Sequence, residues 1–389
     1  MLWLNDSRNL VEEYCTAKDG PSDCLTTCQK VQTKEMLRKR IEIISRYIEE
    51  GLLPERYSAP FTLQFEITYR CNLRCIMCYN SSGILGGFAS KVSELTDEQW
   101  LKVAEEGCKM GVMEVIISGG EPLLRRRLVF RLLDLFKQHG VLIHLITNGW
   151  YVTPAIASRL ENYNFGFIQV SIDGHTPEVH DHIRQVQGSW KRATQALHLL
   201  SSRGIPTRLA HTVVKSNYKY IGAIIDLAIA LGARAIIIGQ ALAQGIGHRN
   251  AEEVLLGPEE AEEFARIFQD ERKRKSRYIH IGIGMESPQQ LLESHMAPNL
   301  AVVLRPNGDV KLGCVAPFSY GNVKEQSLKE IWQQGANRGY LHPAVVEYIR
   351  NVLKEGEVEA VRKLGLSPLV ENKPVRFDAV NRVLKGEHQ

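Results

Sequence analysis

Read for the spacing of its apolar positions, the chain falls into three stretches. Residues 34–51, KEMLRKRIEIISRYIEEG, carry apolar side chains three and four apart and stop at a glycine, which predicts a helix with a C-cap. From residue 62 the period changes, and short β-branched runs alternate with amphipathic segments. LQFEIT (63–68), VMEVIIS (112–118), VLIHLIT (141–147), FGFIQVSID (165–173) and the segments 206–214 and 234–239 read as strands. Helices are predicted between them over 97–110, 125–140, 153–163, near 187–203 and over 218–231. Thr96 is placed to N-cap the first of these helices, and Pro154 to stand at position N1 of the third.

Strands separated by single helices predict right-handed βαβ units and a parallel sheet. The expected class is α/β: a partial (β/α)6 TIM-like barrel over 61–245, preceded by an N-terminal helical extension over 1–60. A barrel is favoured over a doubly wound sheet because polar residues recur just after successive strands, where barrel enzymes build their sites. After Gly245 the alternation breaks. A charged helix (258–275), a strand in YIHIGIG, a hairpin in AVVLRPNGDVKLGC across Asn307-Gly308 and a helical remainder predict a small α+β module over 246–389.

Composition narrows the setting without adding chemistry. Hydrophobic residues make up 44% and charged residues 24% of the 389, as in a globular protein with a full core. A net charge of +4 is too small to argue for nucleic acid or a membrane surface. The first residues lack a basic segment followed by an apolar run, and no apolar run approaches the ~18 residues of a membrane span, so the cytoplasm is the expected location. Eight cysteines in a reducing compartment point to metal or chemistry rather than disulfides. They group as Cys15/Cys24/Cys28, Cys71/Cys75/Cys78, and the single residues Cys108 and Cys314.

The middle group lies in TYRCNLRCIMCYN, directly after the first strand, with no fourth Cys or His close behind. Structural zinc and ordinary iron–sulfur sites take four protein ligands. Three thiolates around a [4Fe–4S] cube leave one iron open to an amino-carboxylate from a small molecule. A three-thiolate zinc site in a non-catalytic metal-binding protein is the alternative.

Cys71-x3-Cys75-x2-Cys78 resembles the signature of the radical S-adenosylmethionine (radical SAM) superfamily, and four further matches follow in the expected order. Ser118-Gly119-Gly120-Glu121-Pro122 looks like the family's GGEP motif. Thr147-Asn148-Gly149 closes the third strand. Ser171-Ile172-Asp173-Gly174 with His180-Asp181 and Arg184 looks like the SxDG…HDxxR run of peptide-modifying members. Met77 stands where the family puts a residue against adenine.

The resemblance implies that S-adenosylmethionine (AdoMet) sits on the unique iron. Gly119 and Gly120 would allow its close approach, and Glu121 would accept from its ammonium group. Asn148 would line the same site, and Ser171 and Arg184 would hold its carboxylate or ribose. Reductive cleavage would give a 5′-deoxyadenosyl radical that abstracts hydrogen from a substrate, with electrons from a flavodoxin- or ferredoxin-type partner. No residue is nominated as catalytic acid, base or hydrogen donor. Tyr79 is the aromatic residue expected at a pocket wall.

Residues 304–332 resemble the hairpin and helix of a SPASM or Twitch extension, which usually carries auxiliary iron–sulfur clusters. This chain departs from that pattern, because Cys314 is the one thiol left in the segment and His295 the one other plausible ligand before the turn. Cys314 with Cys15, Cys24 and Cys28 would make four thiolates, enough for one auxiliary cluster; free thiols or a zinc clip are the other readings. Cys108, on the apolar side of a helix, is expected in the core. The implied substrate is a ribosomally made peptide or a protein side chain, with the N-terminal arm available to a leader peptide. The alternative is a small biosynthetic intermediate such as an aminosugar.

Overall fold

Eleven strands join one sheet in the computed structural model, which describes residues 9–13, 27–80, 93–284, 288–314, 316–363 and 375–376. Seven of them run parallel and in sequence order: β1 (Thr62–Glu66), β2 (Glu114–Ser118), β3 (Leu142–Thr147), β4 (Phe165–Ser171), β5 (Thr207–Val213), β6 (Ala235–Gln240) and β7 (His280–Ile283). Each crossover carries helix, as parallel neighbours require. The main helices are α1 (Thr27–Glu49) before the sheet, then α2 (Asp97–Met110), α3 (Arg126–Gln138), α4 (Pro154–Leu160), α5 (Pro177–Arg184), α6 (Ser189–Ser201), α7 (Ile221–Ala230) and α8 (Pro258–Lys275). The sheet is mostly parallel α/β and suits a partial TIM-like barrel.

Local signals set the helix ends. Thr96 accepts from Gln99 N, and the Gln99 side chain accepts from Thr96 N, a complete capping box; Gly111 ends α2 in the left-handed region at φ 91°. Pro154 stands at the start of α4 behind Thr153, whose hydroxyl accepts from Ile156 N. α5 is the element the apolar pattern did not announce. PEVHDHIR is short and polar, and it forms because Pro177 starts it and Ile183 buries against the cysteine loop.

Alternation along the strands divides the side chains between two faces. Leu63, Phe65, Val115, Ile117, Ile143, Leu145, Ile168 and Val170 pack under the helices with Trp100, Leu133 and Phe136 in the main core. The Phe65 ring lies 5.5 Å from Trp100 and 5.6 Å from Phe136. Their neighbours Gln64, Glu66, Ile116, Gln169, Ser171 and Arg208 take the inner face. Cys108 is half-buried against the main core, where the sequence placed it.

The parallel run does not stop at Gly245, since β7 pairs with β6. On the other edge β8 (Ala301–Leu304) pairs parallel with β1, and β9 (Asp309–Lys311), β10 (Phe318–Asn322) and β11 (Val375–Arg376) extend the sheet outward. The predicted hairpin therefore adds to the barrel sheet through one of its own strands. α1 joins Leu291, Leu292, Phe318 and Tyr348 in a second core through Leu37 and Ile41, so the N-terminal extension packs on the C-terminal module. Arg40 to Glu293 at 2.7 Å and Arg350 to Glu13 at 2.8 Å tie the two at the surface. Among the described residues no helix is long and apolar enough to cross a membrane.

Candidate active site

The three cysteines sit on the loop that leaves β1, and the fold closes that loop from several directions. Arg74 N donates to Arg184 O and Ile76 N to Ile183 O, so the end of α5 forms one wall. Ile246 N donates to Cys78 O at 2.8 Å, and Asn250 Nδ2 to Ile76 O at 2.9 Å, so the segment after β6 forms another. Met77 packs in a small apolar cluster with Leu73, Ile76, Ile183, Val214 and Val254.

Two sulfurs accept hydrogen bonds from distant parts of the barrel. Asn148 Nδ2 points to Cys71 Sγ at 3.8 Å, and Arg184 to Cys75 Sγ at 3.6 Å. Burial pushes the Cys71 thiol up to about 12 and the Cys75 thiol to about 11. Thiols so placed release their protons when a cation takes the proton's place, which is what metal ligation does. Among the described residues, no three Cys, His, Asp or Glu side chains close on a point that one metal ion could fill. Three thiols on one short loop are the donor set that a [4Fe–4S] cluster with one iron left open would take.

Next to the loop runs the Gly-Gly-Glu segment at the end of β2. A Cβ on Gly120 would lie 2.2 Å from Arg70 O, and Glu121 N donates to that same oxygen at 2.9 Å. The glycine's freedom is used here to bring two backbone segments together. Glu121 is fully buried, and burial raises its carboxyl to about 7 against three donors: Asn148 N, Leu123 N and the Thr147 hydroxyl. Its oxygens bind the end of β3 to the end of β2. Asn148 is fixed in turn, with Nδ2 donating to Asn72 Oδ1 and Oδ1 accepting from Trp150 N, both at 2.9 Å.

Ser171 ends β4 on the inner face, opposite Ala210 of β5. Arg184 reaches the same region from α5, with Nε 2.5 Å from Asp173 Oδ2. Burial alone would raise the Asp173 carboxyl, but the guanidinium holds it below the usual carboxylate range. Asp173 also accepts from Thr212 N, and its own N–H donates to His180 Nδ1 at 3.0 Å. Gly174 must be glycine at this crossing, because a Cβ would lie 2.3 Å from His180 N. Asp181 turns the other way and accepts from Gly188 N, Ser189 Oγ and Trp190 N at the start of α6.

A second polar group lies where β1 meets β8. Arg305 donates to Glu66 Oε2 at 2.5 Å, and the Tyr79 hydroxyl approaches Glu66 Oε1 at 3.5 Å. Cys314 Sγ donates to Gln64 Oε1 at 3.5 Å, and Gln64 Nε2 to Ser118 Oγ at 3.2 Å. Lower on the inner face Arg208 stacks 3.5 Å over the Phe167 ring and donates to Gln169; burial lowers its guanidinium to about 10. Sequence reasoning quoted Asp173 within the SxDG run without giving it a role, and gave none to Glu66, Arg305 or Asn72. Strand alternation could have pointed to Glu66, a carboxylate that shares the inner face with Gln64 while Phe65 between them faces the core; Arg305 and Asn72 had no sequence signal.

Of the remaining expected ligands, His295 is buried with Nδ1 at 2.7 Å from Tyr340 O. Cys15 and Cys24 lie outside the described residues, as does the side chain of Cys28. An auxiliary cluster built on those three with Cys314 falls there as well.

Residues 65–228 match the Radical SAM superfamily and residues 296–348 the SPASM iron–sulfur cluster-binding domain. The PqqA peptide cyclase of Ruegeria pomeroyi is 29% identical over 288 residues, covering 72% of this chain and 75% of that protein. The AdoMet-dependent heme synthase of Methanosarcina barkeri is 26% identical over 297 residues, covering 71% and 83%. The crystal structure of Streptococcus suis SuiB bound to precursor peptide SuiA shares the fold at TM-score 0.60 and 15% identity, covering 92% of this chain and 83% of that one. A SPASM domain implies auxiliary clusters, yet the matched segment here contains Cys314 as its one cysteine. With its three-cysteine loop, its Gly-Gly-Glu strand end and both domain matches, the chain is an enzyme of the radical SAM superfamily with a SPASM-type extension, and [4Fe–4S] and AdoMet are its cofactors.

Proposed function

We propose that this enzyme modifies a side chain of a ribosomally made peptide by radical chemistry. The observation that carries the reading is the loop of Cys71, Cys75 and Cys78, held by Asn148 and Arg184 beside an inner face lined with polar side chains. Relatives point the same way in substrate class: one is a peptide cyclase, and a structural neighbour is bound to a precursor peptide. When bound, the cluster and AdoMet supply one-electron cleavage of a sulfonium and, through it, hydrogen-atom abstraction from a carbon.

This chain's residues provide the setting for that chemistry. Asn148 and Arg184 direct N–H donors at the two sulfurs and favour their charged forms. Glu121 locks β2 to β3, so Gly119, Gly120 and Asn148 keep one geometry around the nucleoside. Ser171 and the outer part of the Arg184 fork are offered to its carboxylate or ribose. Met77 holds the apolar side of the loop. Gln64, Ser118, Gln169 and Arg208 are the groups available to a substrate on the inner face. The free thiols suit a reducing compartment such as the cytoplasm.

Anaerobic reconstitution tests the reading. The protein should take up about four irons per chain in the Cys71 loop, yield 5′-deoxyadenosine with dithionite and AdoMet, and change the mass of a short peptide encoded beside its gene. A Cys71/Cys75/Cys78 triple-alanine variant should lose those irons and the product. Zinc uptake without 5′-deoxyadenosine would refute the enzyme. The heme synthase relative favours a small-molecule substrate as the second reading; product formation unaffected by any precursor peptide would support it.

A further inference from the structure

We infer that a basic, aromatic cleft behind the cysteine loop docks an acidic one-electron carrier protein. The inference rests on the radical SAM reading above, since that chemistry draws its electrons from outside the chain. A cleft of about 420 Å³ opens between the start of α3 and the turn that leads from β3 to α4. Trp150, Tyr151, Leu123 and Ile156 line it, and Arg126 and Arg192 stand at its sides. Tyr151 and Ile156 also pack on the main core, which places the cleft on the helix side of the sheet, away from the inner face.

The charge at this cleft is one-sided. Arg126 and Arg192 are exposed and have no carboxylate partner among the described residues; Arg192 is 5.7 Å from the centroid of Trp150. Nearby acids are committed elsewhere: Asp97 to Arg125, Glu98 to Arg131, and Asp181 to the start of α6. Arg70 and Arg74 flank Cys71 in sequence, and Arg127 and Lys191 adjoin the two cleft arginines; all four are exposed and without an ion pair among the described residues. Two exposed guanidiniums at one cleft without a carboxylate partner among the described residues, each with a further unpaired cation beside it in sequence, favour an acidic partner.

The cleft also backs directly onto the cysteines. Trp150 N donates to Asn148 Oδ1, and the same Asn148 side chain donates to Cys71 Sγ. One side chain therefore stands between the cleft's aromatic wall and a sulfur of the loop. Electron-transfer partners meet over small, weak interfaces, for which an apolar notch ringed by charge is sufficient. In the transfer one electron leaves the carrier's flavin or iron–sulfur group and enters the cluster, with no bond made or broken.

The test uses the cluster-loaded enzyme and flavodoxin, an acidic flavoprotein, as the probe. Calorimetry at low ionic strength should show binding that weakens with added salt. Arg126→Glu/Arg192→Glu should weaken it about tenfold or more and slow flavodoxin-driven 5′-deoxyadenosine formation, while the dithionite-driven rate stays at the wild-type level. Arg272→Glu/Lys273→Glu, the same charge change on α8, should bind flavodoxin like the wild type. Wild-type affinity in the cleft variant would overturn the proposal. So would a raised KM for the peptide under dithionite with flavodoxin binding intact, which would give the surface to the substrate. If the wild type makes no 5′-deoxyadenosine with dithionite, the function falls instead, and the calorimetric comparison still decides the docking surface.

Discussion

Two buried arginine–carboxylate pairs flank the cysteine loop, and they differ in what they hold. Arg184–Asp173 lies within the barrel and reaches Cys75; Arg305–Glu66 lies at the seam between the barrel and the extension and reaches Tyr79 and the Tyr69 ring. Both guanidiniums are stabilised in their charged form by their partners despite burial. The first pair joins the cofactor loop to a motif the family resemblance had flagged. The second joins it to a module whose cysteines are mostly gone. An extension that brings few thiols can still be fastened to the active-site loop by charge.

Breaking the pairs one at a time gives the largest expected effects. Arg184→Ala leaves Asp173 buried without its partner, and should cost about 3–5 kcal/mol of stability in denaturant titrations. It should also lower cluster retention about 10- to 100-fold, as loss of a ligand-supporting contact does, with iron content as the readout. Arg305→Ala should cost a similar 3–5 kcal/mol or so but leave the iron content of folded protein unchanged. Equal iron loss in both variants would erase the distinction between barrel and seam.

A smaller effect separates the same regions by pH. His180 accepts from Asp173 N through Nδ1, so the neutral ring is the bound form, and burial lowers its pKa to about 4. The unfolded ring titrates near 6.5. The folded pKa is thus depressed, and the unfolded state binds the proton first as pH falls. Stability should drop between about pH 6.5 and pH 4, by up to about 3 kcal/mol. His180→Gln should flatten that slope relative to the wild type in thermal melts across this window, while Arg305→Ala should leave it in place.

Smallest is Thr96→Ala. It removes the capping box of α2 and should cost about 1 kcal/mol. Leu95 N donates to Pro306 O at 2.7 Å, beside Arg305, so a double-mutant cycle with Arg305→Ala should show coupling between the two losses.

The sequence alone determined the parallel βα frame, the cysteine loop after β1, the Asn307–Gly308 hairpin and the caps at Thr96 and Pro154. Each of these depends on local spacing or on one residue's backbone preference. Tertiary structure decided that β8 joins β1, that β7 continues the barrel beyond Gly245, and that Glu121 spends its oxygens on Thr147, Asn148 and Leu123. It also paired Glu66 with Arg305, 239 residues apart in sequence. Such contacts depend on which strand edges meet and on which buried charges find each other. Period and motif describe a neighbourhood of a few residues, and a parallel sheet assembles its site from chain ends that only the crossovers bring together.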